Sequence, residues 1–145
     1  MKVLLIHPPS ANPLLDQVYI HEPLALEYLG AGLKLDNHEV EIFDGRIDDD
    51  LERIFASTRP QIVGLTGYTS HLGRLREIAR RLKRLDPSVL IVVGGHHATV
   101  RPGDFNEPAF DLVVIGEGVQ AMREIARCKE GDGDFGRITG LGLVR

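Results

Sequence analysis

The residues of this chain that could take part in chemistry follow its apolar runs, at points where each run stops. Small, hydroxyl and imidazole side chains dominate there, and carboxylates are rare. Glycines allow another molecule to approach the backbone closely, while hydroxyl and imidazole groups offer neutral hydrogen bonds. Such a set predicts binding of a large neutral ligand. These groups lie in residues 7–12, 66–70 and 94–99, and residues 116–118 flank them.

Other kinds of site are disfavoured by the same residues. Cys128 is the only cysteine, so this chain by itself builds neither a disulfide nor a cysteine-ligated metal centre. His96 and His97 are adjacent, so we expect their side chains to point apart and not to share a metal ion. Glu117 has no nucleophile or second carboxylate close in sequence. The sequence therefore predicts no catalytic residue and no metal ligand.

Composition narrows the classes of partner. The chain has 145 residues, 43% of them hydrophobic, and a net charge of -4, which gives no reason to expect nucleic acid. No apolar run approaches the roughly 18 residues of a membrane span, and Met1 and Lys2 lead directly into a strand pattern instead of a signal peptide. We expect a cytoplasmic protein without a membrane span.

The elements that must position the candidate residues alternate along the chain. Strand patterns occupy residues 3–6, 39–43, 62–65, 89–93 and 111–115, and helical patterns separate them. This rhythm predicts a flavodoxin-like (Rossmann-like) α/β sandwich of three layers, with a five-stranded parallel sheet in the order 2-1-3-4-5. Residues 138–144 could add an edge strand. Ligands of such sheets bind at the carboxyl ends of the strands, where the candidate residues lie.

Several local features carry two interpretations each. The basic residues at positions 74–84 are expected to form a solvated helix face, although they could also bind an anion. Gly94 and Gly95 could serve a ligand or only tight packing, and Thr69 or Ser70 could cap the following helix. Residues 94–99 are expected to form a loop, and residues 129–136 a linker with little to bury.

A nicotinamide-binding domain would need G-x-G-x-x-G after its first strand, where this chain has His7, Pro8 and Pro9. A phosphate-accepting receiver domain would need an acidic cluster there, which is also missing. The segments VLLIHPP, EPLALEYLGAGLKLDNHEVEIFD, IVGLTGYTS, VVGGHHAT and DLVVIGEG instead resemble the cobalamin-binding amino-terminal domain of cobalamin-dependent radical S-adenosylmethionine (SAM) enzymes. The resemblance covers nearly the whole chain.

The resemblance implies that the chain binds cobalamin, with its nucleotide tail beside the sheet. The binding residues that it implies are those that match the family's motifs: Pro8, Pro9, Thr66, Gly67, Tyr68, Thr69, Gly94, Gly95, His97, Thr99, Gly116, Glu117 and Gly118. Between Ile6 and Pro23 there is no D-x-H-x-x-G, the pattern whose histidine would lie below cobalt, so a base-off cofactor is expected. Val119 departs from the family, which usually has a glutamate after G-E-G.

The same resemblance implies that residues 1–128 form the cobalamin domain. Residues 129–145 would be a linker and the start of a carboxyl-terminal radical SAM barrel, in an enzyme that methylates a small-molecule substrate. The [4Fe-4S] cluster and SAM of that enzyme would not be bound by this chain. Two alternatives stay open at this point, a free-standing corrinoid carrier or sensor and a flavodoxin-fold domain that binds no cofactor.

Overall fold

A computed structural model describes residues 1–12, 14, 22–131 and 133–143. Its sheet has six strands in the order β2-β1-β3-β4-β5-β6, and all neighbours are parallel except β5 and β6, which are antiparallel. The strands are β1 (Lys2–His7), β2 (Glu39–Asp44), β3 (Ile62–Thr66), β4 (Leu90–Gly94), β5 (Leu112–Val114) and β6 (Leu141–Leu143).

The helices that connect these strands lie on both faces of the sheet. They are α1 (Leu24–Leu35), α2 (Leu51–Thr58), α3 (Leu72–Leu85), α4 (His96–Val100) and α5 (Val119–Glu130). Three short 3-10 turns occupy Thr69–His71, Pro102–Phe105 and Phe135–Arg137. None of the helices described is long and apolar enough to cross a membrane.

Local sequence explains where the helices begin and end. The Asp50 carboxylate accepts a hydrogen bond from the backbone N–H of Arg53, at 3.0 Å, and so caps α2. Asn37 (φ 62°) follows α1 and Gly131 (φ 104°) follows α5, both in the left-handed conformation that ends helices.

Alternation along the strands divides the core into two. Residues such as Leu4, Val63 and Val93 pack under α2 and α3, together with Phe105 beyond α4. Their neighbours Leu5, Val92 and Val114 point to the other face and pack under α1 and α5. Each strand of the sheet's centre is therefore buried on both faces, as its continuous apolar run predicts.

The predicted fold class and the order 2-1-3-4-5 are confirmed, and the possible edge strand is present as β6. Some local expectations are wrong. Residues 96–100 are helical, not a loop, and neither Thr69 nor Ser70 caps α3, whose first turn has no side-chain cap. The described residues of 129–136 are exposed, as expected, except Phe135, which packs against the core, and Ile138 beyond them is buried.

The basic residues of α3 form ion pairs with carboxylates of this chain. The Arg80 guanidinium donates two hydrogen bonds to Glu107, at 3.1 and 2.8 Å, and Arg81 donates to Glu52 at 2.6 Å. Lys83 lies 2.8 Å from Asp111. This face is thus a partly exposed ion-pair surface, and carboxylates of this chain offset much of its charge.

Candidate functional site

A cavity of about 340 Å³ lies on the α1–α5 face of the sheet and opens at the carboxyl ends of the strands. We call it the sheet cavity. Its walls come from α1, from the ends of β3, β4 and β5, and from the start of α5, and they are mostly apolar. The lining residues are Ala25, Leu26, Tyr28, Leu29, Gly64, Leu65, Thr66, Val92, Gly94, Gly95, Val114, Gly116, Glu117, Gly118, Val119 and Met122.

Glycines create this space. A Cβ on Gly64, in the middle of β3, would lie 2.7 Å from Leu5 Cδ2 and 3.5 Å from Met122 Cε, so no larger residue fits there without displacing its neighbours. On α1, a Cβ on Gly32 would lie 2.7 Å from Val119 Cγ1. Gly32 therefore allows α1 and α5 to approach closely beyond the cavity, which stays open where the sheet ends.

A second cavity of about 370 Å³ adjoins the first, above the ends of β1 and β3, and we call it the edge cavity. The two share Ala25, Leu26, Thr66 and Gly95 as lining residues. The edge cavity is more polar than the sheet cavity because imidazole, guanidinium and phenol groups line it. Its lining residues are His7, Glu22, Pro23, Leu24, Ala25, Leu26, Arg46, Thr66, Gly67, Tyr68, Gly95 and His96.

Eight of the thirteen predicted binding residues line these cavities: Thr66, Gly67, Tyr68, Gly94, Gly95, Gly116, Glu117 and Gly118. Pro8 and Pro9 lie at the same edge but pack toward the turn after β2. A Cβ on Gly45 in that turn would be 2.8 Å from Pro9 Cδ. The two prolines therefore shape the loop after β1, and His7, which was not among the predicted residues, is the one that reaches the edge cavity.

The other three predicted residues, Thr69, His97 and Thr99, are hydrogen-bonded to neighbouring loops. The buried His97 ring contacts Thr69 Oγ1 through Nδ1 and Asp104 Oδ2 through Nε2, both at 3.0 Å. Thr99 Oγ1 donates to the carbonyl of Gly95 and accepts from the N–H of Gly116. His97 and Thr99 are not among the residues that line either cavity.

Glu117 caps helix α5. Its carboxylate accepts hydrogen bonds from the backbone N–H groups of Val119, at 2.9 Å, and Gln120, at 3.4 Å. A carboxylate at this position also compensates the partial positive charge of the helix N-terminus. Glu117 thus satisfies the first N–H groups of α5 and forms part of the wall of the sheet cavity.

The guanidinium of Arg46 lines the edge cavity and forms an ion pair with Asp44 at the end of β2. Arg46 Nε and Nη2 donate to the two carboxylate oxygens of Asp44, at 2.9 and 2.6 Å. Burial alone would raise the pKa of Asp44, but the hydrogen bonds and charge of Arg46 outweigh it and hold that pKa below its usual value. Asp44 is therefore ionised at neutral pH and keeps Arg46 beside the cavity.

The histidines of this region show no arrangement typical of a metal site. His7 Nδ1 lies 2.9 Å from the carbonyl oxygen of Pro8, and His71 Nδ1 accepts a hydrogen bond from the N–H of Tyr68. Over the part of the chain that the structure describes, no three His, Cys, Asp or Glu side chains are grouped so that they could hold a metal ion. His21 lies outside the described residues.

Sequence reasoning missed the wall that α1 and α5 contribute. Leu26, Leu29 and Met122 recur at helical spacing, which is typical of a core-facing helix side and does not show that part of that apolar face borders a cavity. Gly64 carried a usable signal, since a glycine within a run of β-branched residues often marks a close approach.

Comparison with known proteins identifies the family. Residues 15–126 match the family model described as the B12 binding domain. The chain is 33% identical to an uncharacterized methyltransferase of Pyrococcus horikoshii, over 97% of this chain and 32% of that protein. It is 34% identical to the cobalamin-dependent radical SAM methyltransferase TokK of Streptomyces tokunonensis, over 59% of this chain and 13% of TokK.

A solved structure is similar along almost the whole chain. It is the radical SAM methyltransferase TsrM of Kitasatospora setae with cobalamin and a [4Fe-4S] cluster bound, which matches with a TM-score of 0.81 and 27% identity. The match covers 97% of this chain and 26% of the TsrM chain, so the chain spans a third or less of the length of these relatives. The chain belongs to the B12-binding domain family, in the form found in cobalamin-dependent radical SAM methyltransferases.

Proposed function

We propose that this B12-binding domain holds cobalamin base-off at the carboxyl edge of its sheet, as the cofactor module of a longer methyltransferase of the radical SAM type. The observation that carries the proposal is the pair of adjoining cavities at that edge, one apolar and one polar. Cobalamin has two parts of matching character, a nucleotide tail that ends in an apolar benzimidazole and a corrin ring fringed with amides.

The two cavities fit those parts in shape and chemistry. The sheet cavity is deep enough to reach Gly64, Val92 and Met122, and its apolar walls suit a flat aromatic base. The edge cavity offers Arg46 and Tyr68 beside it, groups that can hydrogen-bond to amides. Gly95 borders both cavities, where a larger residue would narrow the passage between tail and ring.

The separation of the two cavities, one for the nucleotide tail and one for the corrin ring, also supports the base-off form. If the benzimidazole occupies the sheet cavity, it cannot also reach the cobalt above the edge cavity. The loop after β1 carries no D-x-H-x-x-G histidine to replace it. His97, the histidine of the β4 segment that the resemblance singles out, is buried with both ring nitrogens engaged.

The methyl transfer itself is proposed for the longer protein. Bound cobalamin supplies a cobalt that can carry a methyl group, and the residues of this chain bind and orient it. TsrM and TokK are named as radical SAM methyltransferases, and TsrM holds a [4Fe-4S] cluster. Because Cys128 is the only cysteine here, such a cluster, the SAM and the small-molecule substrate would be bound by residues outside this chain.

A second candidate function is a corrinoid carrier that docks to separate partners. Strand β6 favours it, because the tail of the chain completes the sheet by pairing antiparallel with β5 instead of leaving it. The similarity to TsrM covers 97% of this chain, however, so most of this tail also has a counterpart within a longer enzyme. We therefore prefer the module of a larger methyltransferase.

The test is a titration of the chain with hydroxocobalamin, followed by visible absorption. We expect saturable binding by the parent chain and a base-off spectrum. Ala25, exposed on α1, lines both cavities, and Ala25→Phe should weaken binding at least tenfold by filling their junction. Ala31, exposed on the same helix and lining neither cavity, gives the control Ala31→Phe, which should bind like the parent.

Electron paramagnetic resonance of the cob(II)alamin complex should show no nitrogen hyperfine splitting. A clear nitrogen triplet would contradict the base-off proposal, and equal binding by Ala25→Phe and Ala31→Phe would place the cofactor elsewhere on the chain.

A further inference from the structure

Helix α4 stands between two loops that border the cofactor site, and its polar side chains reach both. The first loop follows β3 (residues 66–71, the β3 loop) and the second follows β5 (residues 115–118, the β5 loop). We propose that His97 and Thr99 are positioning residues, which fasten these two loops to the end of β4 and set the shape of the cobalamin site without touching the cofactor. The proposal deepens the function given above and rests on it.

His97 makes the connection to the β3 loop. Its ring is 2% exposed, and it lies edge-on to Phe105 with the ring centres 5.6 Å apart. Asp104 is a carboxylate that only accepts hydrogen bonds, so Nε2 of His97 carries the hydrogen in their 3.0 Å contact. In the neutral ring Nδ1 is then an acceptor, and the Thr69 hydroxyl donates to it at 3.0 Å.

Asp104 is held in the state that this arrangement needs. Burial would raise the pKa of Asp104, but the hydrogen bond and charge of Arg101, together with the hydrogen bond from His97, outweigh it and lower that pKa. The Arg101 guanidinium donates to the same carboxylate oxygen at 3.0 Å. A continuous series of polar contacts thus runs from Arg101 through Asp104 and His97 to Thr69, in the β3 loop.

The backbone adds two more contacts between α4 and the β3 loop. The N–H of His97 donates to the carbonyl of Gly67 at 3.3 Å. Gly95 lies so close to the loop that a Cβ there would be 2.5 Å from Thr66 Oγ1. Thr66 and Tyr68, which line the cavities, are therefore carried by a loop anchored on both sides of Gly67.

Thr99 makes the matching connection to the β5 loop. Its hydroxyl donates to the carbonyl of Gly95 at 2.9 Å and accepts from the N–H of Gly116 at 3.0 Å. Gly116 has a φ of 87°, a conformation that favours glycine, and it lines the sheet cavity. One hydroxyl group thereby fixes the distance between the ends of β4 and β5 at the mouth of that cavity.

The expected consequence is on affinity. Loops held in the binding conformation lose less conformational entropy when a ligand arrives, so loosening them weakens binding without removing a ligand contact. Losing one such hydrogen bond should weaken hydroxocobalamin binding about tenfold, the equivalent of about 1.4 kcal/mol.

The experiment compares Thr69→Val, Thr99→Val and His97→Gln with the parent chain. Dissociation constants come from titration with hydroxocobalamin, and the absorption spectrum of each saturated complex is recorded. We expect weaker binding by Thr69→Val and Thr99→Val with an unchanged spectrum, and recovery in Thr69→Ser and Thr99→Ser, which keep the hydroxyl. Ser70→Ala, an exposed neighbour in the β3 loop, should bind like the parent.

The double variant Thr69→Val/His97→Gln tests whether His97 acts through Thr69. The two side chains share one hydrogen bond, which either single substitution removes. The dissociation constant of the double variant for hydroxocobalamin should therefore be no higher than that of the single variant with the higher value. Additive losses, an altered spectrum of the bound cofactor, or parent-like affinity in both valine variants would each overturn the proposal.

Hydrogen exchange separates this proposal from the proposed function. In the chain without cofactor, Thr99→Val should speed exchange of the Gly116 amide, and Thr69→Val should speed exchange across the β3 loop. If the parent fails to bind hydroxocobalamin, the proposed function fails, while these exchange rates still decide whether the residues position the loops. Unchanged exchange rates in both variants would overturn the proposal that Thr69 and Thr99 hold these loops in place.

Discussion

On the α2–α3 face of the sheet, which we call the filled face, four phenylalanines pack between the layers, and cavities of about 760 and 210 Å³ open near the ends of the strands. On the α1–α5 face a cavity of about 340 Å³ extends down to Gly64 and Val92 within the sheet. The first face holds Phe43, Phe55, Phe105 and Phe110, and ion pairs of α3 cover its outside. The second is lined by glycines and medium-sized aliphatic side chains. One face therefore gives the sheet its rigidity, and the other leaves room for a ligand.

The largest expected effect is on the filled face. Phe105 is fully buried and packs edge-on against Phe110 with ring centres 5.2 Å apart, so Phe105→Ala should lower the free energy of unfolding by about 4 kcal/mol. Met122 borders the cavity and loses fewer contacts, so Met122→Ala should cost about 2 kcal/mol. Urea unfolding of both variants measures the difference. Equal losses would mean that the two faces are packed alike.

The two adjacent glycines at the end of β4 offer the next comparison. Gly95 has a φ of 94°, and its Cβ would lie 2.5 Å from Thr66 Oγ1, so Gly95→Ala should cost about 3 kcal/mol in unfolding free energy. At Gly94 a Cβ would make an ordinary 3.6 Å contact with Val114, so Gly94→Ala should cost less than about 1 kcal/mol. Thermal unfolding of this matched pair checks the prediction, which similar melting temperatures would refute.

The sequence alone predicted most of the fold but not the difference between its two faces. The rhythm of apolar runs predicted the order of the first five strands, and the apolar pattern at residues 138–144 predicted the possible edge strand. These features depend on local preference and on period, which a single sequence displays.

The remaining features depend on tertiary neighbours. Residues 96–100 are too few to show a helical period, so α4 was expected to be a loop. The apolar run that became β6 does not reveal its direction, and the direction follows from the partner β5. His97 was expected to bind the cofactor because of its position in a motif, yet its ring lies in the core beside Phe105.

Low pH should lower the stability of the fold mainly where α1 meets α5. The Asp36 carboxylate at the end of α1 accepts two hydrogen bonds from Arg123, both at 2.7 Å, and this contact lowers the pKa of Asp36 to about 2 from 3.8. A carboxyl with a lowered pKa in the folded state stabilises the fold fully above its unfolded pKa, and the contribution is lost as pH falls between about 4 and 2.

The measurement compares the parent with Asp36→Asn in urea at several pH values. The parent should be more stable at pH 7, and the gap should close as the pH falls through that window. A gap that stays constant down to pH 2 would show that the pair does not act through its charge.

The smallest effect is expected on the outside of α3. Arg80 is 58% exposed in its contact with Glu107, and exposed pairs contribute little, so Glu107→Gln should cost about 0.5 kcal/mol in unfolding free energy. That loss should largely vanish in 1 M salt, where charges are screened. A loss that is large and insensitive to salt would show that the filled face depends on this ion-pair surface.

The sheet cavity also has a consequence for the lifetime of the protein. A part of the interior that the chain does not fill is completed only by its ligand, so bound cobalamin should stabilise the fold by mass action. At a free concentration 100 times its dissociation constant, a ligand adds about 2.7 kcal/mol. Proteases cut the unfolded form, so the supply of cofactor would decide how long each molecule escapes degradation.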